Sequence, residues 1–524
     1  MAGYTLDGIL QSVGSVGDLI AAAVERHGPR LAFVCDGQHV TYKEFGDDIS
    51  RAMQFLAGLG VRKGDAVMQV SANCYEMVVV ITACYLGGFM SVTPGYGNSE
   101  DDHRYVLDDC GAAVLLVDAP RSGRAQAITA GRSDVRVFAL QDARDLEPAW
   151  PAMQAYDPAP LVPADRPQDV VRLIYTGGTT GRPKGVVTLS SQLAFASLLH
   201  IAEQGFTVAT RMLVLSPISH GAGSFILPVL SKGGCVVIQD GFDVGAVLDA
   251  VVRLRVTAVF LVPTMLYVMM DDPRSAAVDL STLTRIIYAA SPIAPPRVAQ
   301  ALALFGPILS QNYGLTEVPG TVLTLTPEDH ADPRASRLAS AGKPYPGVTV
   351  RLLDDAGELV APGTIGEICV RAPHATPGYW GQPELTAELW QSGWLHTGDM
   401  ACQGADGYFQ IVDRKKDMIV SGGFNVYPQE VEHALGDHPA VAAAAVIGVP
   451  HSKWGEAVHA AIVLKAGHAA SEADVMKWVR QRKGAVMAPK TVTFVADLPL
   501  TKLGKVDKKA LRAPFWMGQS RAVG

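Results

Sequence analysis

Short apolar, β-branched runs recur along the chain: DAVMQVS (65–71), AAVLLVD (112–118), RMLVLSP (211–217), GCVVIQD (234–240), TAVFLVP (257–263) and TRIIYAA (284–290). Helical patterns such as DVGAVLDAVVRLR (243–255) lie between them. This alternation predicts an α/β fold whose sheets are covered by helices on both faces. The longest apolar stretch, MVVVITACYLGGFMSV (77–92), carries two glycines. It falls short of the ~20 residues that span a bilayer, and predicts a core helix followed by a strand.

From about residue 349 the texture becomes turn-rich β. The stretch VTVRLLDDAGELVAPGTIGEICVR (348–371) holds turn signals at 355–357 and 362–363. The charged run DRKKD (413–417) then interrupts. After it come strand patterns VAAAAVIGV (441–449) and HAAIVLK (459–465), a helix pattern EADVMKWVRQRK (472–483) and a Lys-rich tail. We expect a large N-terminal domain, 1–415, of two helix-covered sheets. It ends in a small barrel-like β subdomain over about 349–415. A small, mobile α+β domain follows over 416–524. Read alone, the charged run is also compatible with an ordinary solvated turn.

Composition narrows the function classes. A chain of 524 residues accommodates about three folding units. With 48% hydrophobic and 18% charged residues it builds a large core, and a net charge of −7 offers no basic patch for nucleic acid. The N-terminus has Asp7 where a signal peptide is apolar. Seven cysteines, none in a C-x-x-C pair, give neither a disulfide framework nor a zinc motif. They suit a reducing cytoplasm, with no integral membrane association.

One stretch carries chemistry. The apolar run VVRLIY (170–175) ends in TGGTTGRPKG (176–185). Glycines let backbone N–H groups turn inward, threonines add donors and lysine adds charge, which is the composition of an anion-binding loop. It is not the P-loop, whose lysine precedes Ser or Thr, because Lys184 precedes Gly185. The sequel GVVTLS (185–190) alternates and predicts another strand, so the loop is a hairpin tip.

This loop, followed in order by YGLTE (313–317), GWLHTGD (393–399), GYFQIVDRKKDMIVSGGFNVYPQEVE (407–432) and LPLTKLGKVDK (498–508), resembles the adenylate-forming superfamily of acyl-CoA synthetases, beetle luciferases and peptide-synthetase adenylation domains. The resemblance covers nearly the whole chain. It implies Mg·ATP-dependent conversion of a carboxylic acid to an acyl adenylate, then transfer to the thiol of coenzyme A. By this resemblance Thr176, Gly177, Gly178, Thr179, Thr180, Gly181 and Lys184 cover the β- and γ-phosphates. Tyr313 stacks on adenine, Thr316 reaches the α-phosphate, and Glu317 binds Mg2+ as a hard oxygen ligand. Asp399 and Arg414 take the ribose, while Ala290 and Ser291 line adenine. Ser291 stands where the family often has alanine.

The resemblance also makes Lys505 the lysine that contacts carboxylate and α-phosphate during adenylation, although Lys502, Lys508 and Lys509 around it equally describe a solvated tail. Lys416 falls at the hinge about which the small domain turns. Gly422 and Gly423 then admit the pantetheine arm. Trp454 either contacts the CoA nucleotide or packs the small domain.

By the same resemblance the acyl pocket lies beside His220, with Ala222, Gly223, Val262, Ala289 and Gly314 as expected lining. In SPISHGAGSF (216–225) His220 stands where family members place an aromatic or His gate, and read alone it is equally a packed histidine. This stretch holds no acid for an amino-acid ammonium and no base for a second carboxylate. A fatty, aryl or alicyclic acid fits, and the three are not ranked. The chain ends 19 residues past Lys505, so the expected acceptor is free CoA. Delivery to a carrier protein, and a non-enzymatic nucleotide sensor, stay open. The expected assembly is a monomer or homodimer.

Overall fold

The computed structural model describes residues 14–176, 182–332, 335–421, 424–451, 453–501 and 505–517. Among these, the six apolar runs are all strands: Ala66–Val70, Val114–Val117, Arg211–Val214, Cys235–Ile238, Ala258–Leu261 and Arg285–Tyr288. The last three are buried almost throughout, as strands covered on both faces must be. They belong to a nine-stranded sheet whose centre is parallel and whose margins are antiparallel. The first two belong to a six-stranded sheet that is parallel up to Val170–Thr176 and closes with the antiparallel strand Lys184–Leu189.

Between the sheets runs the expected core helix, Tyr75–Gly87, followed by the strand Met90–Val92. Only Glu76 and Ile81 of this helix are not buried, so it has no solvent face. Its side chains join Phe33 of one sheet and Val67 and Val114 of the other in one core cluster. The peripheral helix Val244–Leu254 is amphipathic instead. Asp243 caps it by accepting from the Ala246 N–H at 2.8 Å.

Strands Thr349–Leu353, Gly366–Arg371, Trp394–Gln403 and Phe409–Arg414 form an antiparallel sheet curled into a half-barrel. Both expected turns are present, with Gly357 and Gly363 at φ +81° and +80°. The chain then forms a further five-stranded sheet, from Ile419–Ser421 to Thr491–Phe494, covered by the helices Pro428–Gly436 and Glu472–Met487. This α+β domain has its own apolar cluster around Ile419, Val431, Val446 and Val479.

The charged run is not a solvated turn. Asp413 is buried and accepts N–H bonds from Arg414 and Gln429, while Asp417 pairs with Arg512. Among the described residues no helix is long and apolar enough to cross a membrane.

Candidate active site

The parallel strands of the nine-stranded sheet place most of the candidate residues. Arg211–Val214, Ala258–Leu261, Arg285–Tyr288 and Leu309–Leu315 are consecutive neighbours. Their carboxyl ends lead respectively to His220, Val262, Ala289–Ser291 and Tyr313–Glu317. Residues distant in sequence thus share one edge, which is where open α/β sheets bind ligands.

Leu309–Leu315 and Val318–Leu325 form a hairpin with Thr316 and Glu317 at its turn. Its register slips, Leu315 facing both Val318 and Pro319. The slip needs glycine: a Cβ on Gly314 would lie 2.6 Å from the Gly320 Cα. Tyr313 extends from this hairpin to the half-barrel, where its hydroxyl donates to Asp399 Oδ2 at 2.7 Å. Arg414, directly opposite Asp399 in the strand register, places Nε 3.1 Å from Oδ1. Burial, then the Asp399 charge, pushes the Tyr313 phenol well above its ordinary pKa. Both Asp399 oxygens therefore have partners, yet a carboxylate offers about four acceptor sites, so ribose hydroxyls can still be received.

The predicted hairpin tip lies between Val170–Thr176 and Lys184–Leu189, with Thr176 opposite Lys184. Gly177, Gly178, Thr179, Thr180 and Gly181 lie outside the described residues. Gly185 allows the 378–380 segment to dock against this hairpin. A Cβ there would be 3.0 Å from Tyr175 Cζ and 3.3 Å from Trp380 Cβ, and the Trp380 N–H donates to the Gly185 carbonyl at 2.7 Å.

Lys505 comes from the C-terminal domain. A bridge between Leu500 and Val506, and a Thr501 N–H bond to the Lys505 carbonyl, close the loop that carries it. Burial and the Arg414 charge lower its ammonium to about 8, while Asp399 acts in the opposite sense. Burial and the Lys505 charge in turn lower His220 to about 4. His220 is thus neutral near pH 7, with Nδ1 2.8 Å from Ser219 Oγ. Lys505 is partly buried and within electrostatic range of Asp399, Arg414 and His220, which a solvated tail would not be.

The pocket candidates are mixed. Ala222 and Val262 are buried in the main core and Ala289 packs against it. Gly223 is small for another reason: a Cβ would lie 2.0 Å from the Ile218 carbonyl oxygen, so the loop's own backbone fills the space expected beside it. Ala290 holds φ +80°, a left-handed conformation rare for a residue with a Cβ. Gly422 and Gly423 lie outside the described residues. Trp454 stacks on His451 at 4.2 Å and packs on the small domain beside Ile447 and Val449. Lys416 sits in the turn Lys415–Asp417, its pKa lowered by burial and by Arg414.

Two family models match this chain: AMP-binding enzyme over residues 20–380, and AMP-binding enzyme C-terminal domain over 430–505. The chain belongs to the AMP-binding enzymes. Within this adenylate-forming superfamily it falls in the acyl-CoA synthetase branch, and it is an ATP-dependent ligase that forms acyl adenylates from carboxylic acids. It is 40% identical to a medium/long-chain-fatty-acid–CoA ligase of Mycobacterium tuberculosis, over 98% of this chain and 93% of the relative. It is 39% identical to a feruloyl-CoA synthase of an Amycolatopsis species, over 94% and 96%. Among solved structures, the amide bond synthetase of Marinactinospora thermotolerans matches with TM-score 0.88 and 31% identity, over 95% of this chain and all (100%) of that one.

This AMP-binding enzyme also holds a candidate residue that sequence reasoning missed. Tyr379 donates its hydroxyl to Glu317 Oε1 at 2.8 Å, and its ring lies 5.2 Å from Lys184 Nζ. Burial and the Glu317 charge raise its phenol pKa. One side chain thus orients both the candidate metal ligand and the candidate phosphate lysine. The only local signal was an aromatic pair after Pro377–Gly378.

Proposed function

We propose that this enzyme joins an apolar carboxylic acid, fatty, aryl or alicyclic, to coenzyme A, converting ATP to AMP and pyrophosphate. The observation that supports the reading is the electrostatic coupling of Lys505, from the C-terminal domain, with Asp399 and Arg414 of the half-barrel and with His220. A carboxylate is a poor acyl donor because its oxygen cannot leave. Attack by that oxygen on the α-phosphorus of ATP gives a mixed anhydride and expels pyrophosphate. Thiol attack on its acyl carbon then expels AMP.

Both steps move charge onto phosphate oxygens, so positioned cations and donors do most of the work. In this reading Lys505 and Thr316 serve the α-phosphate and entering carboxylate, and residues 176–184 close over the outer phosphates. Glu317 suits Mg2+: it is a hard oxygen donor, with Tyr379 on Oε1 fixing its orientation. Bound there, Mg2+ neutralises charge on phosphate oxygens. The apolar residues Ala222, Val262 and Ala289, together with neutral His220, support an uncharged acyl tail. We place the boundary between the two moving parts at 415/416, with Lys416 as hinge and Gly422 and Gly423 on the thiol's path. The free thiols of the described cysteines support a reducing, cytoplasmic setting.

The test is a panel of carboxylic acids assayed by ATP–pyrophosphate exchange, then repeated with CoA. Apolar acids should drive exchange, and CoA should yield thioester and AMP. Exchange without thioester would reassign the acceptor to a carrier protein or another nucleophile. Release of ADP would refute adenylate chemistry altogether.

A further inference from the structure

On the half-barrel, three side chains with different metal-binding chemistry converge. Cys369 lies directly across from His396 in the pairing of Gly366–Arg371 with Trp394–Gln403. Glu367, two residues before Cys369, shares its face of the strand. His396 Nδ1 is 3.5 Å from Cys369 Sγ and 3.2 Å from Glu367 Oε2, and the three donor atoms all lie within 4.8 Å of one another. Among the described residues no other three or more His, Cys, Asp or Glu side chains meet in this way.

The spacing is informative. Ligands held at about 2.0–2.3 Å by a tetrahedral zinc ion stand about 3.3–3.6 Å from one another. The two separations from His396 lie within about 0.2 Å of that range, and the third is no more than 4.8 Å. A sulfur, nitrogen and oxygen donor set favours a borderline-soft cation over Mg2+. Outside the ligands, the Gly398 N–H donates to Glu367 Oε1 at 2.9 Å, fixing the carboxylate and leaving Oε2 for the metal.

We propose that Glu367, Cys369 and His396 form a zinc-binding site, with a water in the fourth position. Lys415 is the competing cation. Its Nζ is 3.4 Å from Glu367 Oε2 and 2.7 Å from Asp355 Oδ1. Zinc takes Glu367 Oε2 and leaves Lys415 to Asp355, and the Cys369 thiol gives its proton to solvent as the S–Zn bond forms. Without metal the thiol keeps that proton, because burial and the Glu367 charge push its pKa up to about 12. Occupancy loosens one tie between the half-barrel and the turn Lys415–Asp417 that leads to the C-terminal domain.

The test uses the full chain, cleared of metal with a chelator and titrated with Co2+ as a spectroscopic probe and then with Zn2+. We expect about one Co2+ per chain and a thiolate-to-cobalt charge-transfer band, abolished when Zn2+ displaces cobalt. Cys369→Ser should lose the band and Cys402→Ser should keep it. His396→Gln should weaken binding by roughly tenfold or more. Lys415→Met, which removes the competing charge, should tighten Zn2+ binding by about tenfold. That gain does not depend on Cys369→Ser folding, and circular dichroism checks each variant. A wild-type titration without the band, a band that survives in folded Cys369→Ser, or unchanged affinity in Lys415→Met would each overturn the site.

Discussion

In its proposed role at the α-phosphate Lys505 must carry a proton, and its surroundings lower its pKa. With the ammonium lowered to about 8 by burial and Arg414, kcat/KM for ATP in pyrophosphate exchange should decline as pH rises through about 8. Lys505→Arg holds its charge across this range, so a slower but flat profile up to about pH 9 is expected. A declining limb that persists in the arginine variant would assign the titration to another group. Tyr379 makes a separable contribution. Tyr379→Phe keeps the ring beside Lys184 and removes the hydroxyl from Glu317. Loss of one hydrogen bond to a charged group corresponds to about 1.5 kcal/mol, or roughly a tenfold rise in the Mg2+ concentration needed for half-maximal exchange. An unchanged Mg2+ dependence would remove Glu317 from the metal site.

At the scale of elements, the hairpin Leu309–Leu315/Val318–Leu325 carries Tyr313, Thr316 and Glu317 on a crossing of two glycines. Gly314→Ala puts a methyl group against backbone that has no rotamer to offer. We expect a loss of about 1–3 kcal/mol in denaturant unfolding, and pyrophosphate exchange depressed well beyond what the remaining folded fraction explains. Normal exchange in a normally stable variant would mean that the hairpin yields without moving Thr316 and Glu317. Elements of this kind show how far sequence reasoning reached. The six strands, the buried helix Tyr75–Gly87 and the turns at Gly357 and Gly363 were legible because each is written in a few adjacent residues. The reason for Gly223 was not, since it depends on how one short loop brings the Ile218 carbonyl beneath it. Tyr379 was hidden for a larger version of the same reason: its partners, Lys184 and Glu317, come from two other parts of the chain.

For the whole molecule, the electrostatic coupling of Lys505 with Asp399 and Arg414 suits the C-terminal domain to the adenylation half of the proposed chemistry. In the proposed thioester half, Gly422 and Gly423 would take the place of Lys505. Lys505→Ala should therefore slow adenylation by about 10²–10³-fold and spare thioester formation from synthetic acyl adenylate. Gly423→Leu should do the reverse, and Lys416→Pro should spare adenylation while freezing the hinge. Single-turnover measurement of each half-reaction decides: equal slowing of both halves by Lys505→Ala would end the alternation model for this enzyme.

The bonds that Asp399 makes to Tyr313 and Arg414 bear on which sugar the enzyme tolerates. Strict rejection of an analogue that lacks a hydroxyl arises when its absence strands a buried polar group. A ribose bound on the spare acceptor sites of this carboxylate would leave both oxygens their protein partners, so a missing 2′-hydroxyl would strand neither. In its proposed ribose-binding role, Asp399 should make the enzyme a lenient judge of deoxyribose. 2′-Deoxy-ATP should support pyrophosphate exchange within roughly tenfold of ATP, the value of one net hydrogen bond. Removing the tyrosine hydroxyl with Tyr313→Phe should sharpen that preference, because Asp399 would then depend on the sugar.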